Sequence, residues 1–256
     1  MALPDLQPLI ISAPFGNYIQ PAGTTPTLGT FTAAARPGRV IRILKTVRYY
    51  PRLRAWVNQI GLRNPGIDWL IARARSGKIN LADKLVSIHG FTDSDWYTLL
   101  EKTAALKPLG IELNMSCPNV GQIDWPQDLF THAAKLPVPG VVKLPPVNYH
   151  DLFAQSMQAG LRCYHCCNTL PVPAGGISGK PLKPVALQCI RDIRRLAADQ
   201  CDDLFIIGGG GITTPADIDD YRAAGATRFA IGTKVFNPQY LFSHAGVQPL
   251  IQRATG

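Results

Sequence analysis

The chain has 256 residues, 46% of them hydrophobic and 17% charged, and its 26 Lys and Arg against 17 Asp and Glu give a formal net charge of +9. That apolar fraction excludes intrinsic disorder, and the length suffices to bury a core without disulfides or metal. No apolar run approaches the ~20 residues of a membrane span, and Met1–Ala13 lacks the basic start and apolar centre of a signal peptide, so a cytoplasmic protein with reduced thiols is expected.

In chain order, eight segments read as strands: Pro8–Ala13, Arg39–Val47, Lys84–Gly90, Gly110–Met115, Gly140–Leu144, Leu161–Cys167, Asp203–Gly208 and Arg228–Gly232. Most are continuous apolar runs, as in parallel strands covered on both faces. Asn17–Ala35 and Tyr49–Arg63 read as long irregular connections. Helix signals lie between the strands. Thr92 or Asp93 can cap a helix carrying Leu99, Leu100 and Ala104. Val185–Ala198 puts Leu187, Ile190, Ile193, Leu196 and Ala197 on one stripe, and Thr214 with Pro215 opens a helix that Gly225 ends. This alternation predicts an α/β fold, a (β/α)8 TIM barrel forming a single domain over residues 1–256, with its chemistry at the C-terminal ends of the strands.

Glycine is concentrated where a barrel binds phosphate. Ile206-Ile-Gly208-Gly-Gly-Gly211 and Ala230-Ile-Gly232-Thr233 follow the seventh and eighth predicted strands. Without side chains, backbone N–H groups can touch an anion; tight turns also use glycine, but these positions favour phosphate. A third cluster, Gly175–Gly179, follows the sixth strand.

Amides gather at other strand ends. Glu112-Leu-Asn114-Met-Ser-Cys117-Pro-Asn119 follows strand four, Asn168-Thr169 follows strand six, and Asn58 arrives from an earlier loop. Such a set suits a planar ligand with alternating C=O and N–H groups. Cys117 is a candidate general base, since a thiol pKa near ~8.5 needs only a modest shift; a lone cysteine is otherwise a small buried hydrophobe. Lys45 and Lys143 each sit near the end of an apolar run, which is costly unless they meet an anion or an electron-rich ring. Cys163-Tyr-His165-Cys166-Cys167 alternates across a strand and makes a poor four-ligand set, so no metal is expected and His165 is assigned to packing. The basic stretch Arg36–Arg54 reads as a solvated rim around an anionic site.

Together these segments resemble the dihydroorotate dehydrogenase family. The resemblance runs in order from Leu44-Lys45-Thr46 through Asn58–Gly66, Val86–Gly90, Glu112–Asn119, Val142-Lys143-Leu144, Asn168-Thr169, Gly175–Leu187 and Ile207–Ile212 to Gly225–Phe236. It implies an FMN-containing barrel that oxidises dihydroorotate to orotate in pyrimidine biosynthesis. Cys117 would take the proton from C5 while hydride leaves C6 for the flavin, and a cysteine here is similar to the class 1 enzymes. Asn58, Asn114, Asn119, Asn168 and Thr169 would hold the pyrimidine. Lys45 and Lys143 would contact the flavin, with Gly179, Gly210, Gly211, Gly232 and Thr233 over its phosphate and ribityl chain. A homodimer is the family habit, and NAD as oxidant implies a separate iron–sulfur flavoprotein subunit. The connections from Lys45 to Asn58 and from Asn168 to Gly175 are shorter than the family's.

Three other readings follow from the same residues. The basic excess would suit a tRNA-dihydrouridine synthase-like enzyme, but the amide set fits a free base better, so nucleic acid is disfavoured. A dihydropyrimidine dehydrogenase-like activity is nearer, although Asn119 matches the orotate pattern. A flavin-binding subunit without turnover would not need Cys117, Lys45 and Lys143.

Overall fold

Strands covered on both faces favour apolar side chains, and most of the strands here are built largely from them. The computed structural model describes residues 3–115, 125–198 and 203–256. In chain order the elements are β1 (Leu9–Ile11), β2 (Thr24–Phe31), α1 (Arg39–Thr46), β3 (Arg48–Tyr50), β4 (Ala55–Asn58), α2 (Ile67–Arg75), β5 (Leu85–Ile88) and α3 (Asp93–Ala104). They continue with β6 (Gly110–Asn114), α4 (Leu129–Lys135), β7 (Gly140–Lys143), α5 (His150–Gln158), β8 (Cys163–Cys166), β9 (Leu170–Val172) and β10 (Gly175–Gly179). Last come α6 (Leu182–Ala197), β11 (Phe205–Gly209), α7 (Pro215–Ala223), β12 (Arg228–Ile231) and α8 (Gln248–Thr255).

Eight parallel strands close a barrel in the order β1-β12-β11-β8-β7-β6-β5-β2, the predicted (β/α)8 architecture. Side chains of Ile10, Leu85, Val141, Cys163, Ile207 and Ala230 fill its lower interior, while a larger apolar cluster packs strands against helices. In that outer layer Trp96 of α3 is fully buried. Its helix starts where Thr92 accepts a hydrogen bond from the Asp95 N–H at 3.1 Å, so Thr92 is the cap. At α7, Asp217 accepts from the backbone of Thr213 and Thr214 at 2.9 and 2.8 Å, completing a capping box behind Pro215. On α6 the expected stripe holds at Ile190, Ile193 and Ala197, but Leu196 is exposed and Cys189 takes the buried place.

Three expectations are corrected. Arg39–Val47 is not a strand: it forms α1, on which Val40, Ile41 and Leu44 are exposed. The second barrel strand is β2, inside the stretch expected to be irregular. Its Thr25 and Thr27 are buried; Thr25 Oγ1 accepts from the Gln7 N–H at 2.9 Å, which lets a polar residue stand in a strand core. Likewise Tyr49–Arg63 is not wholly irregular, since it contains β4, and the glycine cluster Gly175–Gly179 forms β10. β3, β4, β10 and β9 form an antiparallel sheet of their own, with Trp56 opposite both Tyr49 and Ser178. Gly175 is obligatory there, since a Cβ would lie 2.2 Å from the Asn58 carbonyl oxygen. The Trp56 ring packs on Tyr49 at 4.8 Å and on Phe236 at 4.1 Å, tying this sheet to the turn that follows β12. The small sheet therefore roofs one end of the barrel.

Candidate active site

Alternation along β6, β7 and β8 turns Glu112, Asn114, Lys143 and His165 into the barrel, above the apolar lower layer. Buried charge of this kind is tolerated only when compensated. Glu112 is wholly buried; its Oε2 accepts from His165 Nδ1 at 2.7 Å, and its Oε1 lies 3.6 Å from the Lys143 ammonium. Burial alone would raise the Glu112 pKa, but Lys143 and then His165 and Ser87 overcome it and bring it down to about 2. Burial, reinforced by Lys143, holds His165 below its usual pKa. Beside Lys143, then, the group holds an ionised Glu112 and an imidazole that burial keeps neutral at neutral pH. With its Nδ1–H given to Glu112, the imidazole keeps Nε2 as an acceptor.

A chain of polar groups rises from this cluster. Ser87 adds to the influences that lower the Glu112 pKa, Thr30 Oγ1 lies 3.0 Å from Ser87 Oγ, and Asn114 Nδ2 donates to Thr30 Oγ1 at 3.0 Å. Asn168 Nδ2 then donates to Asn114 Oδ1 at 2.8 Å, and Asn168 Oδ1 accepts from the Thr169 N–H at 2.9 Å. From Thr169 through Asn168 and Asn114 to Thr30 each assigned donor points the same way, so these bonds polarise one another and fix the amide orientations. His89 Nδ1 lies 2.6 Å from the Asn114 carbonyl oxygen, and burial lowers its pKa.

These groups open on a cavity of about 380 Å³ between the C-terminal ends of the strands and the small sheet. Asn58 enters from β4, Asn114 from β6, Lys143 from β7, and Asn168 and Thr169 from beyond β8. Gly179 comes from β10, Gly210 and Gly211 follow β11, and Gly232 and Thr233 follow β12. The structure thus brings these ten expected residues to one wall system. Gly211, at φ +75°, passes so near Gly179 that a Cβ would sit 2.7 Å from its carbonyl oxygen. At Gly232 an added Cβ would meet Phe15 at 3.7 Å and Ser12 at 3.9 Å, ordinary packing distances.

Lys45 is not among them. It lies on α1, exposed, and outside the cavity lining. Cys117 and Asn119 fall outside the described residues. Sequence reasoning missed Ser12, Trp56, Phe236, Arg39 and, above all, His165, which lines the cavity as well as packing in the barrel. Alternation could place His165 on the inward face with Cys163, but its register beside Lys143 on β7 exists only in the closed barrel.

An FMN molecule fits this donor set. Glycine turns at two strand ends and an ammonium in the floor are what a phosphate and an electron-rich ring edge need, and the volume lies in the range of ordinary cofactor pockets.

Comparison with known proteins agrees with the architecture. The dihydroorotate dehydrogenase family profile matches residues 20–248. The catalytic subunit of dihydroorotate dehydrogenase B (NAD(+)) from Latilactobacillus sakei subsp. sakei (strain 23K) is 32% identical over 217 residues, covering 72% of this chain and 68% of that protein. Its counterpart from Listeria innocua serovar 6a is 32% identical over 213 residues with the same coverage. A ligand-free dihydroorotate dehydrogenase crystal structure from Eimeria tenella superimposes with a TM-score of 0.76 at 17% identity, covering 96% of this chain and 82% of that one. With its closed barrel and a family match over most of its length, this chain belongs to the dihydroorotate dehydrogenase family of oxidoreductases.

Proposed function

We propose that residues 1–256 act as a single FMN-binding domain that oxidises dihydroorotate to orotate in pyrimidine biosynthesis. The observation that carries this reading is the meeting of amides from β4, β6 and the end of β8 with Lys143 and the glycine turns around one cavity.

Gly179, Gly210, Gly211, Gly232 and Thr233 would hold the phosphate and ribityl chain, and Lys143 would meet the electron-rich edge of the ring. Asn58, Asn114, Asn168 and Thr169, together with Asn119, would hold the pyrimidine. The bonds of Asn114 to Thr30 and Asn168 use one N–H and one oxygen lone pair, leaving one of each for a base edge. FMN, when bound, supplies the acceptor for the hydride that leaves C6 of the substrate. Cys117 takes the proton from C5, so that one hydride and one proton leave together and the C5–C6 double bond forms. Excluding water is the part of Trp56 on the small sheet and Phe236 from the turn after β12, which cover the cavity with aromatic surface.

With NAD as oxidant the chain would need a separate iron–sulfur flavoprotein subunit, a reading supported by relatives named as catalytic subunits of an NAD(+) enzyme. A homodimer and a cytoplasmic location accompany this reading as expectations.

The test is anaerobic. The purified protein, supplied with FMN, should hold it and be bleached by dihydroorotate, and Cys117→Ala should slow bleaching by about 10²–10⁴-fold with orotate affinity nearly unchanged. A protein that takes up no FMN, or a variant that is bleached at the original rate, sinks the assignment.

A further inference from the structure

Between β1 and β2 the chain forms no α-helix, only a short 3-10 turn at Phe15–Asn17, and beside β2 the structure opens a second cavity of about 780 Å³. Arg36, Arg39, Lys78 and Lys84 all line it, and no Asp or Glu does. Like charges gather around a concave surface at an electrostatic cost unless an anion joins them.

The cations differ from a solvated fringe in three respects. Lys84 is about nine-tenths buried, and its one ion pair among the described residues is with the exposed carboxylate of Asp83 at 2.7 Å. The Arg36 guanidinium lies 4.4 Å over the Phe91 ring, with its Nε buried and lacking a hydrogen-bond partner. Arg39 stands over Tyr18 at 5.2 Å, and burial lowers its pKa with no carboxylate to oppose the shift. Arg36, Arg39 and Lys78 make no ion pair among the described residues. The N-terminus of α1 adds to the same field: Gly38 caps it without a side-chain bond, and Gly38 and Arg39 border the cavity.

We propose that this second cavity is a binding site for a small molecule carrying several oxyanions, a phosphorylated or polycarboxylate metabolite, held by Arg36, Arg39, Lys78 and Lys84. Guanidinium groups grip such oxygens by paired, charge-assisted hydrogen bonds, and the lysines supply point charge. The site is separate from the candidate active site, although Tyr18, Gly29 and Arg39 form a wall common to both. It does not depend on the flavin reading.

Calorimetric titration of the full chain, with and without added FMN, tests the proposal. Inorganic pyrophosphate is the phosphate probe and citrate the carboxylate probe, each against sodium chloride at matched ionic strength. Arg36 and Lys78 do not line the first cavity, so variants there report on the second alone. One anion should bind saturably at about one per chain, and Lys78→Gln and Arg36→Gln should each weaken it, together by about tenfold or more. Lys107→Gln, away from the cavity, should leave it unchanged. Lys78 is exposed, so its variant keeps the test readable even if Arg36→Gln folds poorly. The tighter of the two probes identifies the source of the oxyanions. Absence of saturable binding by either probe, or binding indifferent to both substitutions, overturns the proposal; failure of FMN uptake alone bears only on the proposed function.

Discussion

Glu112 and His165 share a 2.7 Å hydrogen bond, Nδ1 to Oε2, inside the barrel, and Lys143 lies 3.6 Å from the other carboxylate oxygen. This small cluster joins the fold to the site: it sits on the apolar lower layer and supports the polar chain that ends in Asn168. Its ionisation has consequences that can be measured.

Removing the carboxylate leaves a buried ammonium without its counter-charge. Glu112→Gln should therefore cost about 3–5 kcal/mol, whereas Glu112→Leu with Lys143→Met together should come much nearer to neutral. Urea unfolding of the three proteins checks this. Equal losses in the single and double variants would show that the ion pair is not what matters.

The same cluster makes stability depend on pH. The folded His165 has a lowered pKa, so below about 6.5 the unfolded chain binds a proton that the folded one refuses, and stability falls with pH. Glu112, lowered to about 2, adds a second loss: its contribution is whole above the ordinary carboxylate pKa near 4 and disappears as pH falls towards 2. Melting temperatures measured from pH 8 to 4 should decline through the first window, and His165→Gln should flatten that part of the profile. An unchanged slope in the variant would assign it to other groups.

Asn114 is held by Thr30 and itself holds Asn168. Asn114→Ala should weaken orotate binding by roughly 10–100-fold, the cost of about 1–3 kcal/mol for a lost polar contact and a loosened neighbour. Titrating the flavin spectrum with orotate reads this directly. FMN content should stay near that of the unaltered protein.

The two lysines singled out by the sequence should separate cleanly. Lys45→Ala, on the exposed face of α1, should change FMN affinity by less than about twofold, within the usual range of surface substitutions. Lys143→Gln should lower FMN affinity by at least about tenfold, as loss of a charge-assisted contact in the cavity floor. Fluorescence of released flavin distinguishes them, with each protein measured below its melting point.

The barrel was legible wherever a strand carries an apolar run, as at Phe205–Gly209 and along Val141 and Val142. It was not legible at Thr24–Phe31, whose threonines, proline and glycine read as loop residues until the Thr24, Thr25 and Thr30 hydroxyls find partners. The opposite error arose at Arg39–Thr46, where Val40, Ile41 and Ile43 suggested a strand. Its cations at 39, 42 and 45 recur every three residues, a helical spacing, and that was the better signal. Placing Lys45 at a strand end followed from the same misreading.

The sequence by itself determined the chemistry on offer: amides, glycines and a lysine at the ends of strands, and the family they resemble. Which of these meet was decided only by tertiary structure. Trp56 and Ser178 stand 122 positions apart yet face each other across the small sheet, and no local pattern encodes such a pairing. Nor could the strand of His165 say that a carboxylate from β6 and an ammonium from β7 would flank it. Ionisation depends on burial and on neighbours brought from distant segments, and both exist only once the barrel has closed.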